Sequence, residues 1–326
     1  MVNYLLLLVG FIILIAGADY LVKGASSIAK KLNISDLIIG LTVVSIGTSA
    51  PELSVNIMAS LEGSAGMAIG NVIGSNIFNF LAIIGITALI RPINLKSSLI
   101  KIEIPYAILA SAALIFVTAD VLLDGKEGVI NRSDGLILLL FFSIFLYYVF
   151  LSAKKGDIKE EDAAENISKT YSTWISVIMI AGGLAALVFG GDMIVENATV
   201  LARQWGFSDN LIGLTIIAVG TSLPELATSI VAALRGNSDI AIGNVVGSNI
   251  FNIFFILGIS SVIFPLPVAP ESIIDGLVAA VSTALVLFFA HRGRGQRIDK
   301  LEGTILITVY VVYVAYLTLP SIVGLR

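Results

Sequence analysis

The stretch IGLTVVSIGTSAPEL occupies residues 39–53, and IGLTIIAVGTSLPEL follows at 212–226. Each is a long apolar run broken by a proline and a glutamate, Pro51–Glu52 in the first and Pro224–Glu225 in the second. Proline takes a backbone donor out of a helix, and a carboxylate is costly in hydrocarbon. A sequence that breaks both rules twice, at equivalent places, has a use for the break.

The two stretches are separated by a shift of 173 residues (212 against 39), and the same shift relates much of the chain. Gly17-Ala18-Asp19 lands on Gly190-Gly191-Asp192, and Ser35-Asp36 on Ser208-Asp209. AIGNVIGSNIFN at 68–79 lands on AIGNVVGSNIFN at 241–252, differing at one position in twelve. The best-matched residues are polar, which packing alone does not require.

The surroundings are apolar: 57% of the 326 residues are hydrophobic and 13% charged, about half the charge of a typical soluble domain. Hydrophobic stretches of spanning length lie at about 3–22, 36–60, 65–90, 102–119, 134–152, 173–195, 209–233, 239–263, 273–290 and 303–320. Residues 1–22 lack a basic leader and a small-residue cleavage site, so they read as a retained first span. The expected fold is an all-α integral membrane protein with ten transmembrane helices. Five spans per repeat is an odd number, so residues 1–153 and 173–326 form two inverted five-helix repeats joined by a cytoplasmic linker at 154–172.

With the N-terminus outside, fifteen of the 19 Lys and Arg residues fall in the inner loops; only Lys126, Arg132, Arg203 and Arg326 stay outside. That asymmetry sets the orientation, with both termini outside a cell (plasma) membrane. There is no cysteine and one histidine, which excludes disulfides and leaves no zinc or copper centre. A net charge of -4 gives no footing for nucleic acid. The reading assigns no enzymatic activity, no catalytic residue, no cofactor and no obligate protein partner.

At helical spacing, Thr42, Ser45, Ser49, Glu52 and Asn56 form an oxygen-bearing stripe on the second span. Thr215, Ser222, Glu225 and Ser229 repeat it on the seventh, with Ala218 in place of the first serine. Asn71, Ser75 and Asn79 are four apart on the third span, and Asn244, Ser248 and Asn252 match them on the eighth. Gly70-x-x-x-Gly74 and Gly243-x-x-x-Gly247 are expected to let those helices approach closely. Each proline frees carbonyls near Gly47–Thr48 and Gly220–Thr221, acceptable at membrane depth only where they line a cavity or meet a ligand. Two glutamates near one two-fold axis repel unless a cation separates them. Taken singly, the proline is a kink, the hydroxyls bond back to their own helices and the glutamate is a protonated helix contact. In duplicate and together, an all-oxygen set of this kind suits a hard cation such as Ca²⁺ or Na⁺. Asp19 and Asp192, near span ends, suit a structural or a gating role equally.

At these motifs the sequence resembles the calcium/cation antiporter superfamily, specifically its prokaryotic sodium/calcium exchangers, over the whole chain. GTSAPE with GNVIGSNIFN, and GTSLPE with GNVVGSNIFN, are similar to that family's two alpha-repeats. The resemblance implies antiport of Na⁺ against Ca²⁺ within a lipid bilayer. It implies Ca²⁺ held by Glu52, Glu225 and the carbonyls of Thr48 and Thr221. It also implies flanking Na⁺ sites completed at Ser45, Ser49, Ala218, Ser222, Ser75 and Ser248, with three Na⁺ in all. Potassium-dependent members usually carry Asp at the position of Asn252, which here matches Asn79, so the resemblance points away from potassium co-transport. Proton-coupled members share the glutamates, and proton/calcium or potassium-dependent exchange stays as the alternative. The first and sixth spans carry no comparable polar stripe and are the expected moving gate.

Overall fold

The computed structural model describes residues 2–120, 125, 128–155, 170–206, 216, 218–292 and 296–322. Among the described residues it is all-α apart from four two-residue strands. Among the described residues, eight helices are long and apolar enough to cross a membrane. They are α1 (Val2–Leu32), α4 (Ala65–Ile90), α5 (Leu99–Thr118), α6 (Arg132–Lys155), α7 (Thr173–Gln204), α9 (Ser238–Ile263), α10 (Glu271–Arg292) and α11 (Lys300–Ile322). A ninth span is a bent pair, α2 (Asp36–Thr48) and α3 (Ala50–Leu61), meeting at 46°. The expected span at about 209–233 is described as Ala218–Gly220 followed by α8 (Leu223–Leu234); residues 209–215, Thr215 included, and 217 lie outside the described residues. Most of the expected linker, residues 156–169, and the last residues, 323–326, do so too.

The helix breaks follow from the prolines. Pro51 lies in the first turn of α3 and Pro224 in the first turn of α8, where no intrahelical donor is needed. The preceding residues, Ser49 (φ -83°, ψ 12°) and Ser222 (φ -91°, ψ 7°), leave helical geometry. Neither proline has an N–H to return to the carbonyl four residues earlier, so Gly47 and Gly220 lose that partner.

α4 and α9 form the centre, with 78% of the spanning window of each buried inside the protein. Each contains a π-helical stretch that starts at the end of the motif, Asn79–Ile83 in α4 and Phe251–Leu257 in α9. Such widened turns re-aim side chains and recur at functional sites. The close approach expected of the glycine pairs is present for α9: a Cβ at Gly243 would lie 2.9 Å from the Leu37 carbonyl, and one at Gly247 2.7 Å from the Leu41 carbonyl. For Gly70 and Gly74, nothing among the described residues comes within 4 Å, so that pair makes no such contact there.

α1 and α7 pack against each other along glycines. A Cβ at Gly17 or Gly24 would meet the Gly183 or Ser176 carbonyl at 2.8 Å, and one at Gly190 the Leu14 nitrogen at 2.8 Å. Ser176 Oγ donates to Ser27 Oγ at 2.8 Å at one end of the seam. Backbones this close leave the two helices little room to slip past each other. Leu184 and Val195, both on α7, lie against Gly47 and Gly220. One helix therefore covers both breaks. Loop strands tie the first part of the chain to the second: Ile93–Asn94 pairs with Arg297–Ile298, and Val129–Ile130 with Leu266–Pro267.

Candidate cation site

The breaks bring the two motif copies together. Glu52 and Glu225 are fully buried, as are Ser49 and Ser222. Ser49 Oγ donates to Glu225 Oε1 at 2.8 Å, and Ser222 Oγ donates to Glu52 Oε1 at 3.0 Å. Each carboxylate is thus held by the serine that precedes the proline of the other copy. Neither half can build this site alone.

A second tier holds the backbone. Asn244 Nδ2 donates to the Glu225 carbonyl at 3.2 Å, and Asn71 Nδ2 to the Glu52 carbonyl at 3.5 Å. Thr48 Oγ1 donates to Asn244 Oδ1 at 3.0 Å, and Thr221 Oγ1 to Asn71 Oδ1 at 3.4 Å. The Thr48 hydroxyl also reaches the Ser45 carbonyl at 3.3 Å. Asn56 Nδ2 donates to the Glu52 carbonyl at 2.9 Å, and Asn244 Nδ2 reaches Ser229 Oγ at 3.1 Å. Thr42 Oγ1 bonds back to the Ile38 carbonyl at 2.7 Å and is a local contact.

The remaining expected residues separate into two kinds. Ser45 is buried, and its hydroxyl is used locally on the Thr42 carbonyl. Ser248 Oγ stands 3.5 Å from both the Ser45 carbonyl and Glu225 Oε1, which places it beside the carboxylate. Ser75, Asn79 and Asn252 are buried and each keeps one oxygen without a hydrogen-bond partner. Ala218 lies in the short helix Ala218–Gly220, immediately before the second break.

The unpartnered atoms are the informative ones. Glu52 Oε2, Glu225 Oε2, Ser75 Oγ, Asn79 Oδ1 and Asn252 Oδ1 are all buried oxygens. A buried polar atom left unsatisfied costs about 1–3 kcal/mol, and more when charged. A cation bonded to several of them removes that cost. No group of three or more His, Cys, Asp or Glu side chains occurs among the described residues. Two carboxylates with hydroxyl, amide and carbonyl oxygens are a donor set for Ca²⁺ or Na⁺ and not for a softer metal.

Two features were missed from the sequence. Asn76 and Asn249 were in plain view within GSNIFN, yet they bind across the helices and do not fall on the four-residue stripe. The π-helical turns that begin at Asn79 and Phe251 have no signal in a 3.6-residue pattern. Asp19 also finds a definite partner: Arg235, at the end of α8, bonds it through Nε at 2.6 Å and through Nη2, and Lys23 adds a contact at 2.7 Å.

Comparison with known proteins shows the family of the chain. The family description "sodium/calcium exchanger protein" covers residues 2–151 and 175–319. The CaxA protein of Alkalimonas amylolytica is 40% identical over 96% of this chain and 98% of its own length. The sodium/calcium exchanger MaX1 of Methanosarcina acetivorans is 35% identical over 97% and 98%. A solved structure of the sodium-calcium exchanger NCX_Mj, soaked with 2.5 mM Na⁺ and 0.1 mM Ca²⁺, superposes with a TM-score of 0.80 at 31% identity, covering 97% of this chain and 98% of that one. The chain belongs to the sodium/calcium exchanger family, as a prokaryotic member of the calcium/cation antiporter superfamily.

Proposed function

We propose that this protein is an antiporter that exchanges Na⁺ for Ca²⁺ by alternating access to one mid-membrane oxygen cluster. The observation that carries the reading is the crossed pair Ser49–Glu225 and Ser222–Glu52, with the second oxygen of each carboxylate left for an ion. Glu52 and Glu225 hold Ca²⁺ with the Thr48 and Thr221 carbonyls. Na⁺ occupies the neighbouring oxygens of Ser45, Ser49, Ser75, Ala218, Ser222 and Ser248, with Asn79 and Asn252 completing the cluster. Two carboxylates balance one Ca²⁺, and several Na⁺ together overbalance them, so the two loads exclude each other.

Ten spans arranged as inverted repeats, residues 1–153 and 173–326, put the cluster on the axis between them. Residues 154–172 then face the cytoplasm, and both termini lie outside the plasma membrane. The glycine-packed pair α1 and α7 is the moving part, because α7 covers both breaks and α1 is packed along it. A cysteine at position 160 of this cysteine-free chain tests the orientation: labelling by an impermeant reagent from outside intact cells would contradict it.

Coupling to Na⁺ rather than H⁺ is part of the proposal. A Ca²⁺/H⁺ antiporter, ChaA of Bacillus subtilis, is 26% identical over 81% of the chain, which keeps the proton-coupled alternative in view. Asn79 and Asn252 do not titrate and add no charge, so the fixed charge of the cluster is that of Glu52 and Glu225. Ca²⁺ flux into proteoliposomes is expected to follow an imposed Na⁺ gradient at clamped voltage and to ignore K⁺. Flux driven by a pH gradient without Na⁺, or an absolute need for K⁺, would refute it.

A further inference from the structure

The cation site uses Asn79 and Asn252 but leaves Asn76 and Asn249, three residues earlier on the same helices, without a role. All four are buried. Their amides form a closed exchange between α4 and α9. Asn76 Nδ2 donates to the Asn249 carbonyl at 3.2 Å, and Asn249 Nδ2 to the Asn76 carbonyl at 3.1 Å. Asn79 Nδ2 donates to Asn249 Oδ1 at 2.9 Å, and Asn252 Nδ2 to Asn76 Oδ1 at 3.1 Å.

An asparagine amide can be turned end for end, and its two ends are opposite in character, an acceptor and a double donor. Here the backbone decides the direction. A main-chain carbonyl only accepts, so Asn76 must present its NH₂ to Asn249, and its Oδ1 is left facing Asn252. That oxygen also only accepts, so Asn252 must present its NH₂ and keep its own oxygen on the far side. The same two steps run from Asn249 to Asn79. The atoms left unpartnered are, accordingly, Asn79 Oδ1 and Asn252 Oδ1 and neither amide nitrogen. Ser75 and Ser248, one helical turn earlier on the same faces, belong to the cluster already described.

We propose that Asn76 and Asn249 are positioning residues that set the polarity of the site, turning the oxygen ends of two neutral amides toward the cation. Reversed, either amide would present N–H groups and repel the ion. Two of the four bonds join α4 to α9 through main-chain carbonyls, and the other two act on Asn79 and Asn252. This inference rests on the cation-site reading and adds the groups that orient its neutral ligands.

Equilibrium ⁴⁵Ca²⁺ binding to the purified protein tests it through two double-mutant cycles. Asn76→Ala is expected to weaken Ca²⁺ binding on the order of tenfold, and Asn252→Ala by a similar factor. The double variant should bind no more weakly than Asn252→Ala alone, since Asn76 acts through Asn252. Asn249 and Asn79 should behave in the same way. Losses that multiply to about a hundredfold, or wild-type affinity in Asn76→Ala, would overturn the proposal. If the alanine variants do not fold, Asn76→Asp keeps the shape, and its protonated form both donates to Asn249 and accepts from Asn252; it should stay within about threefold of wild type. A tenfold loss in that variant would also overturn it. Failure of the wild-type protein to bind Ca²⁺ would instead count against the cation-site reading itself.

Discussion

The two halves agree closely at the centre and differ at the rim. At the centre, the bonds that cross between the copies have counterparts: Ser49 to Glu225 and Ser222 to Glu52, with Asn71 beneath one glutamate and Asn244 beneath the other. At the rim, Asp19 is bound by Arg235 and Lys23. The repeat shift sets Glu62 opposite Arg235 and Asp192 opposite Asp19. These counterparts, Glu62 and Asp192, are both acidic, and among the described residues no ion pair joins Asp192 to a cation. A site assembled from both copies constrains both to the same residues. A rim contact belongs to one end of the molecule only, and there the copies are free to diverge.

The largest effect that tests this contrast is loss of a carboxylate. Glu52→Gln and Glu225→Gln are each expected to abolish Ca²⁺ exchange while the protein still inserts. Breaking a buried charge cluster costs about 3 kcal/mol or more, over a hundredfold. Ca²⁺ flux in proteoliposomes checks it, and near-normal affinity in either variant would sink the assignment.

Removal of a crossed hydroxyl comes next. Ser49→Ala and Ser222→Ala each delete one hydrogen bond to a charged group, a loss of about ten- to hundredfold in Ca²⁺ affinity. Because the bonds are counterparts, the two variants should agree within about threefold. A large effect at one and none at the other would break the equivalence of the halves at the centre.

The smallest effect belongs to the rim. Asp19 and Arg235 are 28% and 39% exposed, so their pair is worth only about 0.2–1 kcal/mol. Arg235→Gln should change the rate of Na⁺-driven Ca²⁺ uptake about two- to fivefold, less at high salt, and leave Ca²⁺ affinity unchanged. Rates measured at low and high ionic strength decide the matter; a tenfold fall in affinity from Arg235→Gln would show that rim and centre are not separate.

Much of the centre was legible in the sequence because the duplication printed it twice. Pro51–Glu52 and Pro224–Glu225 marked the breaks, and the four-residue spacing put Ser49, Ser75 and Asn79 with their partners on helix faces. The crossing was not legible. That Ser49 binds Glu225 and not its near neighbour Glu52 depends on how two bent helices meet, which local periodicity does not carry. The asparagine exchange stayed hidden for the same reason, and the π-helical turns at Asn79 and Phe251 because a five-residue hydrogen-bond step leaves no mark on an apolar run. The glycine pairs were read as equivalent, yet only Gly243 and Gly247 touch a neighbouring backbone among the described residues. The helices also outrun their apolar stretches: α1 runs on to Leu32 through Lys23, Lys30 and Lys31, ten residues past the hydrophobic segment at 3–22.

The central claim is that one cluster, built by both halves, takes either Ca²⁺ or Na⁺. Equilibrium binding of ⁴⁵Ca²⁺ to the purified protein, titrated with Na⁺, tests it most directly. One Ca²⁺ per chain should bind and be displaced cooperatively by Na⁺, with binding lost in both Glu52→Gln and Glu225→Gln. Ca²⁺ that remains bound in either glutamine variant, or that Na⁺ fails to displace, would contradict the account.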